Sequence, residues 1–415
     1  MNAYSEVHEC RICGNSRLEP VLDLGNQMLT GVFPRDRSME VTVGPLQLVK
    51  CEGDARKVCG LLQLAHTYDL NEMYGQNYGY RSGLNSSMVA HLRRKVSRIE
   101  NMAQLDTGDL VIDVGSNDGT TLSAYKTPGI QAVGIDPTAS KFRQYYPKHV
   151  TLIPDFFTAE LIHSAFPGRT AKVVTSFSMF YDLESPMDFM RQVHEILSDD
   201  GIWVFEQSYM PSMLRTNSYD TVCHEHLEFY SLHQIKWMAD RVGFSIRDVE
   251  FNDVNGGSFS VTVSKARSGD AASSAVEAIF QEEREAGLAC LQPYRDFERR
   301  VRASRDELSQ FLGEVRDAGR SIAGIGASTK GNVLLQYCDI SPETIPVIGE
   351  VNPEKFGTLT PGTFIPIVPE AEVLAQRPDF LLILPWHFRT FFESAPAFKG
   401  MNLVFPLPSL SVAHL

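Results

Sequence analysis

Two carboxylates stand beside a glycine-rich turn in the segment Leu110-Val-Ile-Asp113-Val-Gly115-Ser-Asn117-Asp118-Gly119-Thr-Thr121. Three apolar residues run into Asp113. That is the pattern of a strand emptying into a turn and a helix, which offers backbone N–H groups and a positive helix terminus to a ligand. The next apolar run, Ala132–Ile135, ends in Asp136. An acidic residue about 20 positions on, at the tip of a second strand, suits a ribose diol. The turn reads D-x-G-x-x-x-G, whereas a dinucleotide site uses G-x-G-x-x-G. Asp113 and Asp118 would repel a pyrophosphate but suit the cationic, phosphate-free S-adenosylmethionine. Asp113, Gly115, Asn117, Asp118, Gly119 and Asp136 are therefore expected to hold a methyl donor.

Three further groups of side chains carry chemistry. Cys10-x-x-Cys13 has the spacing of a metal knuckle, and Cys51 and Cys59 follow as a wider C-x7-C pair whose insert, EGDARKV, can loop out. Four thiolates leave zinc no open position, so this metal is expected to be structural, and it would staple a module too small to hold itself together. His224-Glu225-His226 sets two imidazoles around a carboxylate. In a strand the two histidines would share a face, which is permissive for zinc, but no third ligand stands nearby. Cys223 reads as a small buried apolar residue, since methyl transfer needs no covalent intermediate. Finally, Gly326-Ala-Ser328-Thr-Lys330-Gly331 leads into a helical run from Asn332, a plausible anion cradle that lacks the Walker spacing.

These groups need elements to position them. An apolar stripe (Met88, Leu92, Val96, Ile99) predicts a helix from Met88 to about Leu105, leading into the donor strand. Strand-like runs at Ala132–Ile135, Val150–Ile153, Val173–Phe177 and Ile202–Phe205 alternate with helical ones, which predicts a doubly wound parallel sheet. Ligands bind such a sheet beyond the carboxyl ends of its strands. Asp155, Phe156, Ser178 and Tyr181 therefore border the donor site. A charged helical stretch from about Ala275 to Ala318 reads as one long connector. A second α/β unit follows, with strands at Ser321–Ile325, Val347–Val351, Ile365–Val368 and Phe380–Leu384. The expected class is α/β in three parts: a zinc-binding domain (1–70), a class I methyltransferase domain with a tyrosine-rich lid (71–270), and a Rossmann-like domain (271–415).

The 415 residues, 43% apolar and 21% charged, fit a globular chain of two or three domains. A net charge of −13 without a basic block argues against nucleic acid. No apolar run is long enough for a membrane span and the N-terminus lacks a signal-peptide pattern, so the default location is the cytoplasm. The oligomeric state is open between a monomer and a small homo-oligomer.

Taken in order, these pieces resemble the sugar C-methyltransferases of branched deoxysugar biosynthesis, along nearly the whole chain. The carriers are Cys10-Arg-Ile-Cys13, Leu24-Gly25-Asn26-Gln27, Tyr78-Gly-Tyr80-Arg-Ser-Gly83, Asp113–Gly119, His224-Glu225-His226, Gly256-Gly257, Gly326–Lys330 and Thr360-Pro361-Gly362. The resemblance implies transfer of a methyl group to a carbon beside the ketone of a nucleotide-linked 4-keto-deoxyhexose. That reaction needs a general base and a stabiliser for the enolate oxygen. Tyr80, Glu225 and His226 match catalytic positions of the family, whereas Cys223 and Tyr181 stand where members carry a tyrosine and a histidine. The base candidates rank His226, Tyr181, His224, with Glu225 orienting a histidine or holding sugar hydroxyls. For the substrate, Tyr78 belongs to the lid, Arg81 could meet a phosphate, Ser328, Lys330 and Asn332 form the cradle, and Trp386 could stack on the base. Two alternatives stay open: an O- or N-methyltransferase, and a non-catalytic binding protein that keeps the fold.

Overall fold

A computed structural model of the chain describes residues 4–54, 56–73, 81–267 and 273–415. The tyrosines Tyr74, Tyr78 and Tyr80 lie outside the described residues, as does the expected boundary at 270/271.

The largest sheet has seven strands in the spatial order Phe244–Asn252, Ser258–Lys265, Leu197–Ser208, Ala171–Phe177, Leu110–Val114, Gln131–Ile135 and Thr151–Ile153. The last five are mutually parallel. Ser258–Lys265 is antiparallel to both its neighbours, so the expectation of an all-parallel sheet fails at this edge. The cause is local. Gly256 and Gly257 sit at φ +89° and +120°, and this left-handed turn folds the chain straight back, with no room for the crossover that a parallel strand would need. Leu110–Val114 is buried along its whole length, which explains why it reads as a continuous apolar run. The preceding helix, Ser86–Ala103, is capped by Asn85 and buries Leu92, Val96 and Ile99 on the predicted stripe.

The connector is two helices, Ser274–Glu285 and Gln292–Asp317, rather than one. The break follows from Gly287 at φ +68° and from Pro293, which opens the second helix. The third unit is a six-stranded sheet in the order Ile367–Pro369, Ile348–Glu350, Ile322–Ile325, Phe380–Ile383, Asn402–Phe405 and Ser411–His414, parallel except for its last strand.

The cysteine-bearing region forms an antiparallel sheet in the order Glu228–Phe229, Leu62–Leu64, Val43–Cys51 and Leu18–Met28. Its edge strand, Glu228–Phe229, comes from far along the chain, one residue beyond His226. Among the described residues no helix is long and apolar enough to cross a membrane.

Candidate active site

The sulfurs of Cys10, Cys13, Cys51 and Cys59 lie within 4.8 Å of one another. Cys10 and Cys59 are 3.4 Å apart and Cys13 and Cys51 3.5 Å. A tetrahedral zinc with Zn–S of about 2.3 Å needs S···S separations of about 3.8 Å, so the four thiols fit that ion with a small expansion. The knuckle turns at Gly14, φ +69°. Cys51 ends a strand and Cys59 stands just before the next, and the wide second spacing is taken up by the loop between them.

At the carboxyl ends of the central strands lies a cavity of about 440 Å³. Asp113, Gly115, Asn117, Asp136, Asp155, Phe156 and Ser178 all line it. Asp113 is held by the Thr175 hydroxyl at 2.6 Å, yet burial pushes its carboxyl up to about 7. Asp136 is fixed at the tip of its strand by the Asn117 amide (2.8 Å) and by the amide and hydroxyl of Thr138 (2.7 and 2.6 Å). Gly115 takes φ +74°, and a Cβ there would stand 3.0 Å from Met179. Gly119 and Asp118 belong to the turn but do not face the cavity. Gly119 leaves room for the Tyr146 ring. Asp118 accepts the Gly83 amide at 2.9 Å and pairs with Arg81 at 3.3 Å, while Asn117 accepts the Ser82 amide at 3.0 Å. Asp118 and Arg81 thus latch the residues from Arg81 to Gly83 onto the glycine-rich turn. The Arg81 guanidinium also lies 4.0 Å from the Tyr145 ring centre, so it is engaged within the protein and not turned toward a substrate phosphate.

Tyr181, Cys223, Glu225, His226 and Lys330 line the same cavity. His226 Nδ1 is 2.7 Å from the Thr221 carbonyl. A carbonyl can only accept, so Nδ1 carries the proton and Nε2 keeps a lone pair. Burial, helped by the Lys330 charge, lowers the imidazole to about 4, so it is neutral at physiological pH. The Tyr181 and His226 rings meet edge to face at 4.5 Å. Glu225 has its carboxyl raised by burial, and its Oε1 lies against Gly31 of the first sheet region. Burial lowers Lys330 while the Asp220 carboxylate works in the opposite direction.

His224 is elsewhere. The residues between Cys223 and Leu227 form a turn, closed by the His226 amide on the Cys223 carbonyl at 3.1 Å, and not a strand. The two histidines therefore do not share a face. His224 packs on Tyr68 at 4.6 Å, and burial drives it down to about 3. The expected anion cradle is also differently employed. The Ser328 side chain caps helix Thr329–Tyr337 by accepting the Gly331 amide, and Asn332 donates to the Thr30 carbonyl at 2.8 Å. Lys330, at the start of that helix, lines the cavity at the carboxyl ends of the central strands. Trp386 is buried with Nε1 donating to Asp220 at 2.8 Å, so it packs rather than presenting a face to a base.

Family models match the chain in three consecutive blocks: a zinc binding domain over residues 10–74, a methyltransferase domain over 85–249 and a C-methyltransferase C-terminal domain over 253–408. The C-methyltransferase NovU of Streptomyces niveus is 30% identical over 385 residues, spanning 92% of this chain and 90% of its own. The chain belongs to the C-methyltransferase family. Solved structures align more loosely. The mitomycin 7-O-methyltransferase MmcR is 13% identical over 44% of this chain and 55% of its own, with a TM-score of 0.36. CcbJ of Streptomyces caelestis is 14% identical over 42% and 90%, with a TM-score of 0.33.

As a C-methyltransferase the chain uses S-adenosylmethionine, and its four-cysteine site takes a structural zinc. Sequence reasoning missed Asp220, which is 1% exposed and stands between Trp386 and the Lys330 charge. Glu206 follows the apolar run Ile202–Phe205, in the stretch that the parallel-sheet reading sets at the border of the site; its carboxylate instead binds His91 at 2.6 Å and Lys95 at 3.0 Å and ties the helix Ser86–Ala103 to the sheet.

Proposed function

We propose that this enzyme methylates a carbon adjacent to the ketone of a nucleotide-linked 4-keto-deoxyhexose, through an enolate. One observation carries the reading. An imidazole whose Nδ1 proton is pinned on a backbone carbonyl, leaving Nε2 unprotonated, lines the cavity that also holds the glycine-rich turn. A heteroatom acceptor would need less activation than a carbon acid. A buried neutral base with a cation close by matches the harder task.

His226 Nε2 takes the α proton, and the C–H electron pair moves into the enolate. Lys330, a cation in a poorly solvated site, opposes the charge that develops on the enolate oxygen, where such a charge counts for more than in water. This assigns Lys330 to the reacting end of the sugar instead of to its phosphates. Tyr181 packs on the imidazole and holds its plane. S-adenosylmethionine held at the glycine-rich turn would supply the methyl group to this carbon, the electron pair of the broken S–CH3 bond staying on sulfur. Glu225, beside Gly31 of the first sheet region and the start of helix Thr329–Tyr337, would hold sugar hydroxyls. The third unit, with residues 271–415, would present the nucleotide. The test is incubation with labelled methyl donor and thymidine- or uridine-diphosphate 4-keto-6-deoxyglucose. Label should appear on carbon, and deuterium from solvent should enter beside the ketone without donor. A methyl group found on oxygen or nitrogen would replace this reading with the heteroatom one.

A further inference from the structure

The cysteine knuckle contains a residue that no metal needs. Arg11, between Cys10 and Cys13, is buried to a 4% exposed side chain. It donates to the Leu64 carbonyl at 2.6 Å, to the His66 carbonyl at 3.2 Å and to the Thr67 hydroxyl at 2.9 Å, and its own amide donates to Gln63 Oε1 at 2.9 Å. Its Nε lies 3.8 Å from the fully buried Glu228. The arginine therefore grips the strand Leu62–Leu64 and the stretch that follows it from one side.

The segment carrying the base runs along the same edge of that strand. The Leu64 amide donates to the Leu227 carbonyl at 2.9 Å, and Glu228 and Phe229 pair with Gln63 and Leu62. The Leu227 amide in turn donates to the Tyr181 carbonyl at 2.9 Å. Leu227 thus joins three things through its two backbone groups: the strand held by Arg11, the end of the donor sheet at Tyr181, and its neighbour His226.

We propose that Arg11 is a positioning residue for the methyl-transfer site, transmitting the order of the metal knuckle through strand Leu62–Leu64 and Leu227 to His226 and Tyr181. The proposal rests on the reading of His226 as the base. It gives the zinc region a part in setting active-site geometry, in addition to holding its own sheet together. A planar fork with several donors suits this clamp, and a lysine cannot reproduce it.

The test compares Arg11→Met and Arg11→Lys with Arg56→Met, an exposed loop arginine paired only with Asp54 among the contacts seen, in the full-length zinc-loaded protein. Four quantities are read: zinc per chain, S-adenosylhomocysteine affinity, donor-free deuterium exchange into thymidine-diphosphate 4-keto-6-deoxyglucose, and the side-chain nitrogen NMR signals of His226. Both Arg11 variants are expected to keep zinc and homocysteine-product affinity. Their exchange should fall about 10- to 100-fold, the scale of a misplacement near 1 Å, mainly in kcat. The His226 signals should shift away from the Nδ1-protonated form, and Arg56→Met should match the parent. The milder Arg11→Lys keeps the test meaningful if Arg11→Met does not fold. Unchanged exchange and unchanged His226 signals would overturn the proposal. Loss of zinc or product binding in parallel with activity would also overturn it, by reducing Arg11 to a folding residue. If the parent protein itself shows no exchange, the assignment of the base falls and this proposal with it, whereas exchange that is normal in all variants removes the proposal alone.

Discussion

On the proposed role of His226 as base, its burial sets where the acid limb of proton abstraction falls. With its imidazole lowered to about 4, the residue is about 97% neutral at pH 5.5, whereas an unperturbed histidine near 6.5 would be only about 9% neutral there. The donor-free exchange reaction isolates this step, because it does not depend on loading the methyl donor. Under kcat/KM conditions the rate at pH 5.5 should therefore stay within a few per cent of its value at pH 7. That is roughly ten times what an exposed imidazole would permit. The assay follows loss of the proton signal beside the ketone in deuterated buffer between pH 4.5 and 8, with the rate of His226→Asn as the blank. Lys330→Met removes one of the two influences that depress the imidazole and leaves burial, the larger. Its limb should move toward neutral pH without reaching 6.5. A parent limb centred near 6.5, or an undiminished rate in His226→Asn, would refute the assignment and direct attention to Tyr181.

Other outcomes follow from the same geometry. Asp113, raised to about 7, is mostly protonated at pH 6 and mostly ionised at pH 8. Calorimetry should show S-adenosylmethionine binding about tenfold more weakly at the lower pH, with a smaller change for the uncharged-sulfur product, and a flat profile would count against a cation beside this carboxyl. Gly115→Ala forces a side-chain-bearing residue into a left-handed conformation and a 3.0 Å approach to Met179. It should cost about 1–2 kcal/mol in thermal unfolding and weaken product binding. Cys51→Ser should abolish stoichiometric zinc in elemental analysis, and full retention of the metal would remove Cys51 from the ligand set. A Cβ at Gly31 would overlap Glu225 Oε1, so Gly31→Ala should displace that carboxyl and lower kcat by about 10-fold or more without altering product affinity.

Much of this was legible in the residues. Four of the five parallel strands show as short apolar runs because burial on both faces demands it, the edge strand Thr151–Ile153 being only partly covered, and the glycine-rich turn shows through its two glycines and the carboxylates beside it. The cysteines declare their cluster by type and approximate spacing. What stayed hidden depended on contacts between distant segments. Nothing local says that Glu228–Phe229 will complete a sheet begun at Leu18. Without that pairing, the turn from Cys223 to Leu227 looks like a strand and His224 looks like a partner of His226. Asp118 and Arg81 both have the right chemistry for ligands, but they neutralise each other first. Lys330 was visible as a cation at a helix start. That its helix leans into another unit's cavity could not be seen from its own neighbours.

That helix is also stitched to the first sheet by side chains. Gln336 exchanges two bonds with the Met28 backbone, at 2.8 and 3.1 Å, and Asn332 reaches the Thr30 carbonyl. The two ends of the chain therefore form a seam that bypasses the middle. Hybrid enzymes made by grafting the last third of one relative onto another should fail unless the matching Met28–Thr30 edge travels with it, so the natural module for exchange is a split one.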